Sequence, residues 1–329
     1  MSNRDKILSY RDLIKKKLIP LINADYVLLD VPNHPNIGDN LIWEGELRFL
    51  ENIHYKCIYS ANVHNWDENK IKDAKIILFH GGGNWGDLYR ECQEHRLYIA
   101  EKFKDKRIII FPQTVWYNNK SILPIDCKIF NNHADIHICL RDQMSMDILS
   151  NYVDAKKLYL LPDMAFFVDV EAMPMRKVRN DCILFMLRTD SEIDDITFKL
   201  ESDFDVKDWP TFSNNKNERN LGMEKGAEIS LHMDMEAGKQ KSGCSLIGSA
   251  HKIFPLFIGL NRKNNRERYI YKGINFFSNY EIIYTTRLHG LILGILMDKK
   301  VIIVDNKYNK CKNYYDTWLR EFDNIELMS

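Results

Sequence analysis

Short apolar runs alternate with amphipathic stretches from about residue 26 to residue 169. The runs at 26–31, 56–60, 76–80, 107–112, 136–140 and 158–162 are rich in Val, Ile, Leu and Phe, the pattern of strands covered on both faces. Amphipathic segments at 41–52, 87–103 and 142–150 predict helices between them. Alternating strand and helix units predict a parallel sheet with helices on both sides. A second series starts with the run at 181–187 and resumes at 282–285 and 301–304, with a helix predicted over 291–297. Between them, from Asp203 to about Gly243, the chain is polar and turn-rich, with Trp209-Pro210 and Ser213-Asn214-Asn215-Lys216-Asn217. That stretch reads as a loop or small helical insertion near the mouth of a site, or equally as a solvated surface excursion. The basic segment 174–180 reads as a linker. The pattern predicts an α/β protein of two Rossmann-like domains, 1–173 and 174–311, with a cleft between them. A closing segment, 312–329, is read as a helix centred on 314–322 that folds back on the first half.

Composition narrows the function classes. Lys+Arg and Asp+Glu both total 46, so the net charge is zero and a general nucleic-acid-binding role loses its electrostatic support. Aromatic residues make up 12%, which fits a packed enzyme better than a disordered adaptor. The seven cysteines show no CxxC pair and no regular spacing, so they read as reduced, buried thiols of a cytoplasmic protein. No segment approaches the ~20 apolar residues that span a bilayer, and the first residues carry no signal-peptide core. A soluble protein with at most peripheral membrane contact is expected.

The chemistry gathers where strands end. Thr285-Thr286-Arg287-Leu288-His289-Gly290 follows one strand and opens a helix, bringing together a guanidinium, an imidazole and the N–H groups of a helix start. Arg141 and Arg188 likewise follow strands directly, and three arginines at such ends point to an anion carrying more than one negative group. A phosphorylated carboxylic acid is of that kind. Asp163 lies at the same edge, as a catalytic group or as a local partner for Arg141. Asp39, in His34-Pro35-Asn36-Ile37-Gly38-Asp39-Asn40, reads either as the cap of the next helix or as an acid that positions or deprotonates a hydroxyl; Gly38 beside it reads as a tight turn. In His80-Gly81-Gly82-Gly83-Asn84-Trp85-Gly86 the glycines satisfy a GxGxxG pattern. Two features argue against a dinucleotide site: the match is not on the first strand, and the next strand ends in Pro112-Gln113-Thr114 without an acid to hold a ribose. No HExxH, nucleophile elbow or acidic triplet for Mg²⁺ appears, so no metal ligand set is read.

Taken in order, Asn36-Ile37-Gly38-Asp39, Gly81-Gly82-Gly83-Asn84, Pro112-Gln113, Arg141-Asp142-x-x-Ser145, Asp163, Arg188, Arg287-Leu288-His289 and Tyr308-Asn309-Lys310 resemble the polysaccharide pyruvyltransferases. The resemblance spans about residues 26–320. It implies a GT-B-like fold of two facing α/β domains, with the donor site in the C-terminal one. It also implies transfer of a pyruvyl group from phosphoenolpyruvate to two sugar hydroxyls, giving a cyclic ketal, commonly 4,6-linked, and phosphate. The acceptor would be a bacterial capsule, exopolysaccharide or cell-wall glycan on a polyprenyl-diphosphate carrier at the inner membrane face. Phosphoenolpyruvate would be a co-substrate and no cofactor is implied. By this resemblance His289 is the candidate general acid and Asp39 a second catalytic candidate. Arg141, Arg188, Arg287, Leu288, Lys310, Gly82, Gly83, Asn84 and Asp163 would bind substrate. The chain departs from the pattern at Thr114-Val115-Trp116, where relatives often carry a Gly-Pro turn, and at Asp142, where Glu is more usual.

Two other classes fit the same two-domain layout: a nucleotide-sugar glycosyltransferase and a non-catalytic glycan-binding subunit. The first would need a base pocket that the sequence does not display, and the second would not need an Arg-x-His triplet.

Overall fold

The computed structural model describes residues 1–173, 182–188, 196–199, 204–212, 221–223, 228–231, 265–305 and 309–328. They divide into two compact units. The first comprises Met1–His34, Leu41–Val168 and Asn313–Glu321; the second comprises Pro35–Asn40, Asp169–Lys312 and Phe322–Ser329.

The first unit carries strands β1 (Tyr26–Leu29), β2 (Cys57–Ala61), β3 (Ile76–Phe79), β4 (Gly82–Gly86), β5 (Arg107–Trp116), β6 (Ile136–Leu140) and β7 (Leu158–Leu160). They form one sheet in the order β2-β1-β3-β5-β6-β7, with β4 paired to β5, and every pair is parallel. Helices are α1 (Asn3–Leu18), α2 (Ile37–Leu50), α3 (Glu68–Lys72), α4 (Arg90–Lys102), α5 (Leu123–Asn132) and α6 (Gln143–Ser150).

Successive side chains of a strand face opposite ways, and the two faces of this sheet feed two separate cores. Val27, Leu29, Ile77, Phe79, Ile108 and Ile110 pack with Leu97, Ile99, Cys127, Phe130 and Leu149 of α4 to α6. Tyr26, Leu28, Ile76, Leu78, Ile109 and Phe111 pack instead with Ile14 and Leu18 of α1 and with Ile42 and Phe49 of α2. Helix α1 was not legible in the apolar periodicity. A capping box between Ser2 and Asp5 starts it, and Lys15, Lys16 and Lys17 complement its carboxyl end.

The second unit repeats the plan. Its sheet holds β8 (Ile183–Met186), β10 (Phe204–Lys207), β11 (Leu221–Met223), β13 (Ile282–Thr285), β14 (Lys300–Ile303) and β15 (Ile325–Leu327), in the order β11-β10-β8-β13-β14-β15. Only β11 runs antiparallel. Strands β9 (Ile196–Lys199) and β12 (Glu228–Leu231) pair with each other. Helices are α7 (Asn265–Phe277), α8 (Leu288–Leu296) and α9 (Lys310–Tyr314), the last running on as a π-turn over Tyr315–Leu319. With β11 set aside, β10-β8-β13-β14-β15 and the first sheet share one doubly wound strand order. In both, the order reverses beside the first strand, where ligands of open α/β sheets bind.

Several expectations are corrected. The stretch from Asp203 is not a loop or helical insertion at its start: Phe204-Asp205-Val206-Lys207 alternates apolar and polar residues and joins the main sheet as β10. Residues 213–220, 224–227 and 232–264 of the remainder lie outside the described residues, as does the linker 174–180. The closing segment is not all helix, because β15 extends the second sheet. The thiols are not uniformly buried and reduced. Cys57 is exposed, and Cys182 is disulfide-bonded. Sequence spacing carries no information on which thiols approach within bonding distance. Among the described residues no helix is long and apolar enough to cross a membrane.

The glycine loop after β3 is itself a strand, β4, laid along the far half of β5. Strand β3 pairs with Arg107–Ile110 and β4 with Gln113–Trp116, so Pro112 falls at the handover, where its missing N–H leaves no ladder bond unmade. Gly82 and Gly86 both take positive φ, 122° and 116°. A side chain at Gly86 would run into the main-chain carbonyl of Trp116, whereas one at Gly82 meets only the tip of Ile42 at 3.4 Å. Gly86→Ala is therefore expected to cost about 1–3 kcal/mol of unfolding free energy from backbone strain, plus the clash, and more than Gly82→Ala. Urea unfolding of both variants checks this, and equal losses would count against it.

Candidate active site

The sequence-predicted residues separate into two groups, one in each unit. In the first unit, Arg141 follows β6 and is 2% exposed. Its Nη1 donates to Asp163 Oδ2 at 2.7 Å and its Nε to Thr114 Oγ1 at 2.8 Å. Asp163 also receives the N–H of Ala165 through Oδ1, and its own N–H donates to the Tyr314 hydroxyl at 2.9 Å. Asp142 caps α6 by accepting from the N–H of Ser145, and its other oxygen accepts from Thr114. Ser145 Oγ accepts the N–H of Val115. The Arg-Asp-x-x-Ser motif thus ties β6, the far half of β5 and α6 together. Asp163 is the local partner of Arg141 and the cap of the short turn that follows it.

Gly82 and Gly83 lie on β4, and the Asn84 side-chain Oδ1 accepts from Arg96 Nη2 at 2.7 Å. Arg96 is fully buried, reaches Asp30 Oδ2 at 3.3 Å, and lies over the Trp85 ring at 5.4 Å from its centroid. Nearby, His80 Nδ1 meets Glu46 Oε2 at 2.9 Å, and Glu46 Oε1 accepts the N–H of Gly81. Both side chains are buried. Burial raises the Glu46 carboxyl above its ordinary range, against the pull of His80.

The second unit holds the other group. Strands β10, β8 and β13 are adjacent and parallel, and their carboxyl ends deliver Asp208, Arg188 and Arg287 in turn. Arg188 and Arg287 are each 7% exposed. The N–H of Arg188 donates to Thr286 Oγ1 at 3.0 Å, locking the two strand ends together. Arg287 is the N-cap of α8 and accepts no first-turn N–H through its side chain. His289 stands in that first turn, half-buried, with Leu288 buried beside it. Lys310, buried, opens α9 after Asn309, whose φ is 52°.

The first turn of α2 belongs to this unit and meets His289 directly. A Cβ placed on Gly38 would lie 2.6 Å from His289 Nδ1 and 2.9 Å from its Cγ. Gly38 is therefore not a turn residue; it sits in the helix without positive φ, and its missing side chain lets the backbone press against the imidazole. Asp39 is not the cap either. Asn36 takes that place: its Oδ1 accepts the N–H of Gly38 at 3.0 Å, and its carbonyl accepts the N–H of Asn40. Asp39 Oδ2 in turn receives Asn36 Nδ2 at 2.7 Å. The cap shifts to Asn36 because the helix begins at Ile37, one turn earlier than the apolar pattern places it.

Sequence reasoning missed Asp208, which holds Arg287 through both oxygens: Nε to Oδ1 at 2.5 Å and Nη2 to Oδ2 at 2.7 Å. Phe212 covers a face of the same guanidinium, 5.3 Å from ring centroid to Cζ. The rule that found the arginines, a charged residue directly after a strand, also finds Asp208 once Phe204–Lys207 is recognised as a strand. Among the described residues no group of three or more His, Cys, Asp or Glu side chains is placed to hold a metal ion. The arrangement is chemically suited to hold a small polyanion on arginines and to offer an imidazole in fixed orientation.

Comparison with known proteins agrees in kind. Over its full length the chain is 28% identical to a Bacillus subtilis (strain 168) protein provisionally named pyruvyl transferase EpsO, covering 94% of that protein. It is 26% identical to Pyruvyl transferase 1 of Schizosaccharomyces pombe, over 89% of this chain and 69% of that one. A crystal structure of a functionally uncharacterised Klebsiella pneumoniae protein shares the fold, with a TM-score of 0.56 at 18% identity and 98% of each chain covered. The family model described as polysaccharide pyruvyl transferase matches residues 36–308, a span that takes in Asn36, Gly38, Arg141, Arg188, Asp208, Arg287 and His289. The chain belongs to the polysaccharide pyruvyl transferase family.

Proposed function

We propose that this transferase moves the pyruvyl group of phosphoenolpyruvate onto two hydroxyls of one sugar in a bacterial polysaccharide precursor. The product is a cyclic ketal, 4,6-linked on the acceptor, and phosphate is released. The observation that carries the proposal is the first turn of α8, where Arg287 caps the helix and His289 is held against Gly38. Phosphoenolpyruvate carries a carboxylate and a phosphate, and Arg287, Arg188 and Lys310 are the groups of the second unit suited to them. Arg141 and Asp163 organise the first unit, and the proposal includes the two-domain, GT-B-like layout that the family resemblance implies. The acceptor is proposed to be polyprenyl-diphosphate-linked and met at the inner face of the cell membrane. The names of the relatives support the pyruvyl group.

The chemistry follows from the donor. Protonated His289 gives its proton to the methylene carbon, and C2 becomes an oxocarbenium-like electrophile that the first sugar hydroxyl attacks. The C2–O bond to phosphate then breaks, and the second hydroxyl closes the ring. Two hydroxyl protons are released; one replaces the proton given to the new methyl group and the other leaves with phosphate. Arg287 stabilises the charge that collects on the departing phosphate. Asp39, one residue from Gly38, is the proposed acceptor of a hydroxyl proton.

His289→Gln is expected to lower turnover roughly 10²–10⁴-fold while phosphoenolpyruvate still raises the melting temperature. Reaction in deuterated water should place one deuterium in the ketal methyl group, read by mass spectrometry. Near-normal turnover of the variant would remove the imidazole from the mechanism. Phosphate release from phosphoenolpyruvate with lipid-linked glycans is the direct assay, and no release with any acceptor would defeat the proposal.

Gly38→Ala tests the wedge against His289. The new methyl group must displace the imidazole, and a misplacement of about 1 Å can cost on the order of 10²-fold in rate. Helix propensity moves the other way, so unfolding free energy should change by no more than about 1 kcal/mol. An active Gly38→Ala enzyme would show that the contact does not set the acid.

No divalent metal is proposed to take part, since the anion site is built from arginines. Activity should survive dialysis against EDTA; loss restored by Mg²⁺ or Mn²⁺ would contradict this.

A further inference from the structure

We infer that Asp208 is a positioning residue for the donor site, fixing the plane of the Arg287 guanidinium from the end of the neighbouring strand system. The inference rests on the proposed donor chemistry, since it is Arg287 that it orients. An arginine side chain has several rotatable bonds, and only a fixed fork presents a defined edge to an anion. Here the Nε and Nη2 edge is gripped by both oxygens of Asp208, and the Phe212 ring covers one face. Edge and face together leave the guanidinium one orientation.

The clamp is built to be rigid. Asp208 follows β10 directly, and β10 is tied to β8 along Asp205, Val206 and Lys207. Trp209, 2% exposed, stacks on Phe277 of α7 with centroids 5.5 Å apart and planes 20° apart. The N–H of Trp209 donates to Asp208 Oδ1 at 2.7 Å, and the N–H of Phe212 donates to the carbonyl of Trp209, closing the turn. A buried aromatic therefore pins the turn, with Asp208 before it and Phe212 after it held to Arg287. Side-chain exposure at the ion pair is 8% for Arg287 and 7% for Asp208, low enough that breaking it strands a charge. The carboxylate also offsets one of the two guanidinium charges that the ends of β8 and β13 bring together, Arg188 and Arg287.

The test is phosphoenolpyruvate binding and steady-state kinetics on Asp208→Asn, Asp208→Glu, Phe212→Leu and the Asp208→Asn/Arg287→Ala double variant, each checked for folding by circular dichroism. Asparagine keeps the shape but turns an N–H₂ toward Nη2, so phosphoenolpyruvate should bind roughly tenfold more weakly, the scale of one lost charge-assisted bond. Glutamate restores both acceptors and should recover part of the loss. Phe212→Leu leaves the carboxylate in place and should raise KM with little change in kcat. The double variant should bind no worse than Arg287→Ala alone, because Asp208 acts through that arginine. Additive losses, unchanged affinity in Asp208→Asn, or tighter binding would overturn the inference; tighter binding would make Asp208 a competitor for the anion. If the unaltered protein does not bind phosphoenolpyruvate, the proposed donor is wrong. The same variants are then titrated with inorganic phosphate, which reads the arginine directly, and a response that ignores Asp208 would overturn the clamp as well.

Discussion

A strand covered by helices on both faces can carry no uncompensated charge along its length, and this constraint arranges everything else in the molecule. Along β1, β3 and the first half of β5 even the alternation of side chains leads only from one apolar core to another. Polar chemistry is pushed to the carboxyl ends, where the chain leaves the sheet. A guanidinium that emerges there is still nearly buried, and leaving such a charge unpaired costs several kcal/mol. The solution is the same twice. Arg141 at the end of β6 meets Asp163 from beyond neighbouring β7, and Arg287 at the end of β13 meets Asp208 from beyond β10, two strands away. The ion pairs differ in what surrounds them. Arg141 is woven into Thr114 and the cap of α6, whereas Arg287 stands at the start of a helix beside an imidazole.

Glycine shows how differently one residue type is used in the two units. Gly86 is required by the backbone, through positive φ and the carbonyl of Trp116. Gly81 would set a Cβ 2.8 Å from the Pro112 carbonyl, so the triple-glycine segment closes onto β5 of its own protein. Gly38 has an ordinary helical backbone, and what needs its bareness is a side chain, His289. Gly273 does the same for Ile37, letting α7 settle against the first residue of α2.

The apolar runs announced the buried parallel strands built from branched and aromatic residues, because burial on both faces leaves an uninterrupted signature, whereas glycine-rich β4 read as a loop. A short edge strand with little burial leaves less: β15, with only Ile325 fully covered, hid inside an expected helix. Charged residues at strand ends were legible wherever the strand was, which is why Arg141, Arg188 and Arg287 stood out and Asp208 did not. The meeting of Gly38 with His289 was out of reach for another cause. Both residues were marked individually, but no local pattern states that two distant segments touch.

The segment Asn313–Glu321 belongs to the first unit, while residues on either side of it belong to the second. Its ties reach the earliest part of the chain, Lys6 to the Glu321 carbonyl and the Tyr10 hydroxyl to the Trp318 carbonyl, and the Trp318 indole donates to the Arg141 carbonyl. A ribosome delivers the amino end first, and Glu321 and Trp318 follow Lys6 and Tyr10 by 315 and 308 residues. The first unit must therefore wait, with its α1 surface partly uncovered, until Asn313–Glu321 has been made. Contacts of such sequence separation are slow to close, and unfinished surface of this kind is what chaperones cover. Strand β15 can join the second sheet only after that segment has been laid down.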